Sequence, residues 1–265
     1  MKYINNEKLN IIKLNTKNFY VAIDFDRTMT TLSSSDSWDV AGKLLGEEFN
    51  KKILDLYQKY RPIELNYNIS FEEKSLAMEK WYRDCVNLYY EYKLTDKQLE
   101  DSIEMGNLIF RKGCKNFLKF LHINNIPVIV LSAGIGNIIE KFLKINNCYY
   151  DNIFMISNFI EFDENGYMKK FDGPIIHTSN KTMKDSLPKD VEEKLNKKEY
   201  RLLLGDTIED KKMIPYSEWD KTISVGFLNE KIEEDLEVYK QNYDIVLTNE
   251  NGNFEELKKI LSLLY

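Results

Sequence analysis

Six short, predominantly apolar runs alternate with stretches of helical periodicity, and this alternation limits the folds open to the chain more than any other feature. They are Phe19-Tyr20-Val21-Ala22-Ile23, Pro127-Val128-Ile129-Val130-Leu131, Ile153-Phe154-Met155-Ile156, Arg201-Leu202-Leu203-Leu204, Ile223-Ser224-Val225-Gly226 and Asp244-Ile245-Val246-Leu247. Runs rich in Val, Ile and Leu, without polar alternation, suit strands covered on both faces of a parallel sheet. Between them, segments such as 137–144 and 230–240 carry apolar residues at helical spacing. The pattern predicts an α/β fold with a doubly wound, Rossmann-like parallel sheet as its core.

The rhythm breaks once. From Ser33 to Met105 no strand is readable, whereas Glu47–Tyr60, Phe71–Tyr92 and Asp96–Ile109 each have helical periodicity. Thr95-Asp96-Lys97-Gln98 reads as a capping box that starts the last of these. An insertion of about 75 residues is too long for a loop and large enough for a small folding unit. The expected division is an α/β core over 1–32 and 111–265 and an inserted helical cap domain over 33–110. The crossings near Thr31–Ser35 and Gly106–Gly113 would be its hinges.

Four patches carry chemistry. The first strand ends in Asp24-Phe25-Asp26. Alternation along a strand lets both acids face one side at the carboxyl end, where open α/β sheets bind ligands. Two adjacent acids repel, so the site needs a cation or a shared proton. After the second run, Ser132-Ala133-Gly134-Ile135-Gly136 combines a hydroxyl with small residues and a following helix, a setting for backbone N–H groups that face an anion. After the fourth, Gly205-Asp206-Thr207-Ile208-Glu209-Asp210 offers two carboxylates four residues apart, hard ligands of the kind Mg²⁺ takes. Lys181 is the fourth. Taken singly, each has a plain structural explanation: a solvated acid pair, a turn, a helix N-cap, a surface lysine.

Their order and placement say more. Asp-x-Asp-x-Thr, then Ser, then Lys, then Gly-Asp-x-x-x-Asp resembles the haloacid dehalogenase-like phosphohydrolases, and the helical insertion resembles that superfamily's cap. Further strings narrow the resemblance to the cytosolic pyrimidine 5′-nucleotidase family. They are Lys59-Tyr60 through Ile63-Glu64, Ser157-Asn158-Phe159, Phe162 through Gly166, Ile176-His177 through Asn180-Lys181, Gly226-Phe227-Leu228-Asn229 and Tyr243 through Leu247. The likeness runs from Phe19 to the C-terminus and is weakest over 31–56, where Ser33-Ser34-Ser35-Asp36-Ser37-Trp38 receives no role.

The resemblance implies a phosphomonoesterase for nucleoside 5′-monophosphates, UMP and CMP first, with Asp24 as nucleophile and Asp26 as acid and base. Mg²⁺ would be held by Asp24, the main-chain carbonyl of Asp26 and Asp206, with Asp210 close by. Ser132, Ala133 and Gly134 would bind the phosphoryl group and Lys181 would offset its charge. His177 matches a family position but receives no catalytic role. In the cap, the family's Met-x-Glu-Trp reads Met78-Glu79-Lys80-Trp81 here, so the acid is shifted by one position, or about 100° around a helix. Glu79 and Trp81 are the expected base contacts. Tyr67, Tyr82, Tyr89, Tyr90 and Tyr92 are further aromatics able to stack or to pack. Alternatives are a phosphatase for phosphoserine or a sugar phosphate, and a binding module that has lost its chemistry.

Charge and composition trim the remaining classes. A net charge of −6 argues against a nucleic-acid polymer as partner. Two histidines leave no room for a His-rich metal site, and Cys85, Cys114 and Cys148 form neither a zinc pattern nor a disulfide framework. No apolar run is long enough for a membrane span, and the N-terminus has no secretory core. The expectation is a cytoplasmic protein, a monomer or weak dimer, acting on a small phosphate ester.

Overall fold

All six runs form strands of one sheet, and a seventh strand joins them. The computed structural model describes residues 2–66, 68–183, 187–249 and 252–261, the side chain of Asn6 excepted. The strands are Lys2–Ile4 (β1), Phe19–Ile23 (β2), Val128–Ile135 (β3), Ile153–Asn158 (β4), Tyr200–Gly205 (β5), Thr222–Leu228 (β6) and Ile245–Thr248 (β7). Their order is β1-β7-β6-β5-β2-β3-β4. Neighbours run parallel except β1, which pairs antiparallel with β7.

Apolar residues on both sides of β2 explain the two-faced burial. Phe19, Val21 and Ile23 join a cluster with Leu118, Leu121, Val128, Val130 and Leu257. Tyr20 and Ala22 point the other way, to Ile129, Leu131, Leu195 and Leu203. Each such aliphatic side chain contributes roughly 1.5–3 kcal/mol by leaving water. The helices Asn6–Ile11 (α1), Cys114–Ile123 (α6), Gly136–Ile145 (α7), Lys189–Asn196 (α8), Ile232–Asn242 (α9) and Phe254–Leu261 (α10) complete the α/β part.

Between β2 and α6 lie Ser37–Gly42 (α2), Glu47–Glu64 (α3), Phe71–Glu91 (α4) and Asp96–Met105 (α5). Capping boxes start α4, from Ser70 and Glu73, and α5, from Thr95 and Gln98. The last helix is shorter than the expected Asp96–Ile109. Gly106 leaves the helix with ψ 145°, and the chain beyond it pairs with the outgoing crossing. Thr31 N–H donates to Ile109 O at 3.0 Å, Arg111 N–H to Met29 O at 2.8 Å and Ser35 N–H to Asn107 O at 2.9 Å. The two expected hinges are thus one hydrogen-bonded ribbon. Val40, Phe49, Val86, Tyr89, Leu99 and Ile103 form the interior of the insertion together with Ile135, Ile138, Ile160 and Met168 from the α/β part. Among the described residues no helix is long and apolar enough to cross a membrane.

Candidate active site

Adjacent strands β5, β2 and β3 deliver three of the four chemical patches to one edge of the sheet. Strand β2 lies where connections diverge to both sides, the crevice position favoured for ligands in such sheets. Asp24 follows β2 directly, and its N–H donates to Leu204 O of β5 at 3.0 Å. Lys181 reaches in from the loop after β4. Its Nζ lies 2.6 Å from Asp24 Oδ1 and 2.9 Å from Asp210 Oδ1, and all three side chains are buried. Asp210 lies in the first turn of a 3₁₀ segment, Ile208–Met213, and its Oδ2 accepts from the N–H of Asp206 at 3.0 Å and of Thr207 at 2.9 Å. Gly205 has to be glycine here, because a Cβ would stand 2.5 Å from that of Asp210.

Electrostatics mark this floor as short of positive charge. Burial pushes the Asp24 carboxyl up to about 6, with Lys181 pulling it down and Asp210 pushing it up. Burial, then Asp24 and Asp210, hold Asp206 well above the usual carboxylate range. For Lys181 burial works toward neutrality, but Asp210 and Asp24 outweigh it and keep the ammonium charged. Carboxylate oxygens of Asp24, Asp206 and Asp210 lie within 4.8 Å of one another. Three carboxylates, hard oxygen ligands, with one ammonium among them suit a divalent cation such as Mg²⁺. Asp210, already engaged by Lys181 and two amides, is better placed to orient the others than to bind directly.

Asp26 is half-buried, its carboxyl pushed up to about 8 by burial and by the charges of Asp36 and Asp24. The next residue, Arg27, has φ 62°, a left-handed conformation costly for a residue with a Cβ. Its carbonyl accepts from Arg111 Nη2 and, at 3.0 Å, from Asn229 Nδ2. Asn229 Nδ2 also lies 3.5 Å from Asp206 Oδ2, which links the two loops.

Ser132, Ala133 and Gly134 line the same cavity as Asp24, Asp26, Lys181 and Asp206. Strand β3 continues through them, with a shift of register between Leu131 and Ile135. Two amides expected to face an anion are used internally: Gly134 N–H donates to Ser132 Oγ at 3.0 Å and Ile135 N–H to Ser37 Oγ at 3.1 Å. Because Ser132 Oγ accepts from Gly134, its own hydrogen is directed elsewhere. Thr178 Oγ1, shielded by the chain and without a hydrogen-bond partner among the described residues, lines the cavity too.

The cavity holds about 570 Å³ and its walls come from the insertion. Trp38, Tyr57, Trp81, Tyr82 and Tyr89 line it, and Trp81 stacks on Tyr60 with ring centres 5.9 Å apart. Glu79 is not among its lining residues. It pairs with Arg83 at 2.6 Å and approaches His177 Nε2 at 3.7 Å, at the seam between insertion and sheet. From the insertion, Asp36, Asp39 and Glu64 do line the cavity, Glu64 paired with Arg61. Tyr90 is exposed, Tyr92 packs on Phe49, and Tyr67 lies outside the described residues. Sequence reasoning assigned nothing to Ser37, Glu64, Arg111 or Asn229. Glu64 and Asn229 stood in strings already quoted for the family likeness. Ser37 stood in the stretch of weakest likeness.

Comparison with known proteins bears on the family and the fold. The family described as Pyrimidine 5′-nucleotidase (UMPH-1) matches residues 18–265. The human 7-methylguanosine phosphate-specific 5′-nucleotidase is 33% identical over 237 residues, covering 86% of this chain and 78% of its own length. A crystal structure of cytosolic 5′-nucleotidase IIIB bound to cytidine superposes with a TM-score of 0.82 at 24% identity, over 99% of this chain and 93% of the other. A substrate-bound phosphoserine phosphatase gives a TM-score of 0.57 at 19% identity over 93% and 99% of the two chains. Both structural matches speak for the fold, that of the haloacid dehalogenase-like hydrolases.

Proposed function

Because the chain belongs to the pyrimidine 5′-nucleotidase (UMPH-1) family, we propose that this 5′-nucleotidase is Mg²⁺-dependent and cleaves nucleoside 5′-monophosphates through an aspartyl-phosphate. The observation that carries the reading is the buried Asp24–Lys181–Asp210 constellation on the floor of an aromatic-walled cavity. In the first step a carboxylate oxygen of Asp24 bonds to phosphorus while the bond from phosphorus to the nucleoside O5′ breaks. Asp26, kept protonated by its raised pKa, gives its proton to that leaving oxygen. In the second step the Asp26 carboxylate takes a proton from a water molecule whose oxygen attacks the same phosphorus. The bond from phosphorus to Asp24 breaks, and inorganic phosphate leaves.

Lys181 and Ser132 Oγ would offset charge on the phosphoryl oxygens, with Ala133 and Gly134 forming the wall beside them. Asp24, Asp206 and the Asp26 carbonyl would hold Mg²⁺, with Asp210 behind them. When bound, the ion supplies positive charge at the reacting phosphate. The insertion acts as a cap domain over the leaving group, and a cytosolic setting accords with the relatives' names.

The family description favours pyrimidine nucleotides. A second reading, 7-methylguanosine monophosphate, has its own support beyond the human relative's name. Asp36, Asp39 and Glu64 line the cavity together with Trp38, Tyr57 and Trp81, acidic and aromatic side chains of the kind that attract a cationic base, with Arg61 pairing Glu64. Phosphate release from UMP, CMP, 7-methyl-GMP, GMP, AMP, phosphoserine and a sugar phosphate tests both, each with Mg²⁺, with EDTA and with Asp24→Asn. Metal-dependent release from one nucleotide class, absent in Asp24→Asn, is the expected result. Turnover confined to phosphoserine or the sugar phosphate would overturn the nucleotide claim.

A further inference from the structure

We propose that Ser37 is a positioning residue for the reaction: it holds the Asp26 carboxyl in the orientation from which its proton reaches the leaving oxygen. This rests on the acid–base role of Asp26 given above. Ser37 donates twice to that carboxyl, through its N–H to Oδ1 at 3.1 Å and through its hydroxyl to Oδ2 at 2.8 Å. Among the described residues these are both of the hydrogen bonds that Asp26 receives. One donor on each oxygen fixes the plane of the group, while each oxygen keeps a second lone pair for the transferable proton.

The hydroxyl is itself aimed. Ile135 N–H donates to Ser37 Oγ at 3.1 Å, which occupies an Oγ lone pair and turns the hydroxyl hydrogen toward Asp26. Ser37 is fully buried, and its neighbours fasten it on both sides. Asp36 caps α2 by accepting from Asp39 N–H at 2.8 Å, and Trp38 Nε1–H donates to Ala133 O at 3.0 Å. Gly134 leaves the space that this arrangement needs. A Cβ there would stand 2.0 Å from Ser37 Oγ and 2.8 Å from Asp26 Oδ2. The first turn of α2 thus ties the acid to the strand that carries Ser132, although it lies in a stretch of sequence with no evident role.

An acid contributes only within hydrogen-bond reach of the oxygen it protonates, and a displacement of about 1 Å can cost a hundredfold. The need for that proton depends on the leaving group: a nucleoside alkoxide requires it, and p-nitrophenolate does not. The experiment therefore compares kcat/KM, which reports the steps up to loss of the leaving group, for a nucleoside monophosphate and for p-nitrophenyl phosphate. Ser37→Ala should lower kcat/KM about 10–100-fold with the nucleotide and less than about threefold with p-nitrophenyl phosphate. Equal losses with both substrates would make Ser37 merely structural and overturn the proposal, as would no loss with either. If Ser37→Ala does not fold, Ser37→Cys, of similar volume and weaker donor strength, replaces it with the same split expected. Asp26→Asn, run alongside, separates the two claims. If it shows no leaving-group split, the acid role itself fails; if it shows one and Ser37→Ala does not, only the positioning role fails.

Discussion

Replacing Lys181 with methionine should cost the metal-free protein about 3–5 kcal/mol of stability near pH 8, the penalty for leaving a buried ion pair without one partner. The lysine serves two acids at once, at 2.6 Å and 2.9 Å, with no side chain of the three more than 5% exposed. Methionine keeps most of the volume, so the change isolates charge from packing. The penalty should shrink in acid. Asp24, already pushed up to about 6, can take a proton in place of the missing ammonium. An acid whose folded pKa lies above its unfolded value binds its proton more tightly when folded. Its contribution is therefore fully present at low pH and lost as pH rises through the folded pKa. Without Lys181 that pKa moves further up, so the gap to wild type opens between about pH 5.5 and pH 8, by at most ~1.4 kcal/mol per pH unit. At about 2–4 °C per kcal/mol, the melting temperature should fall by roughly 6–20 °C near pH 8. Thermal unfolding in EDTA at both pH values reads this, and added Mg²⁺ should raise the variant's Tm more than wild type's, because it neutralises the same carboxylates. A gap below about 2 °C near pH 8, or one equal at both pH values, would refute the reasoning.

Two further predictions concern the supports around the site. Arg111 donates to the carbonyls of Arg27, of Thr28 at 2.9 Å and of Gly252 at 2.6 Å. Arg111→Met leaves the Thr28 and Gly252 carbonyls without this donor, at about 1–3 kcal/mol each, and takes from the Arg27 carbonyl one of its two donors. The urea midpoint should drop with an unchanged m-value, and kcat should fall as the Arg27 turn loosens; an unchanged midpoint would count against the network. Glu230 lies 3.6 Å from both Arg27 and Arg61, joining sheet to insertion, but its side chain is 55% exposed. Glu230→Gln should therefore change stability by less than about 1 kcal/mol, and any effect on KM should vanish at high salt.

The sheet was legible because burial on both faces removes the ambiguity of alternation: β2 has no polar residue, and its expected and observed bounds coincide. Strand β1 was not, since Lys2-Tyr3-Ile4 becomes a strand only by pairing with Ile245–Leu247. The floor of the site was legible for a related reason. Asp24 and Asp206 each follow a strand end, and Ser132 lies where the neighbouring β3 runs on past Leu131, so strand order brings the three to one edge. What hid were contacts fixed by packing. Ser37 acts on Asp26, 11 residues away, and on Ile135, 98 away. Counting along α4 put Glu79 near the base, but its (i, i+4) partner Arg83 holds it at the seam. Glu64, which does line the cavity along with Asp36 and Asp39, comes from the end of α3, where the helix carries on through Pro62.

The ribbon that joins sheet and insertion brings the outgoing and returning chain together at Thr30 and Phe110. Seen from the sheet, the whole insertion is a side loop already closed at its base. Loop-closure entropy grows only with the logarithm of length, so the sheet is nearly indifferent to how much chain is threaded there. A shorter, longer or unrelated module could be spliced between these two residues, provided that its ends meet and it covers Ile135, Ile138 and Ile160. Two crossovers, one at each of these residues, would exchange the module over the leaving group while Asp24, Asp26, Ser132, Lys181 and Asp206 stay with the α/β part, and the incoming module would have to bring its own counterpart of Ser37 to hold Asp26.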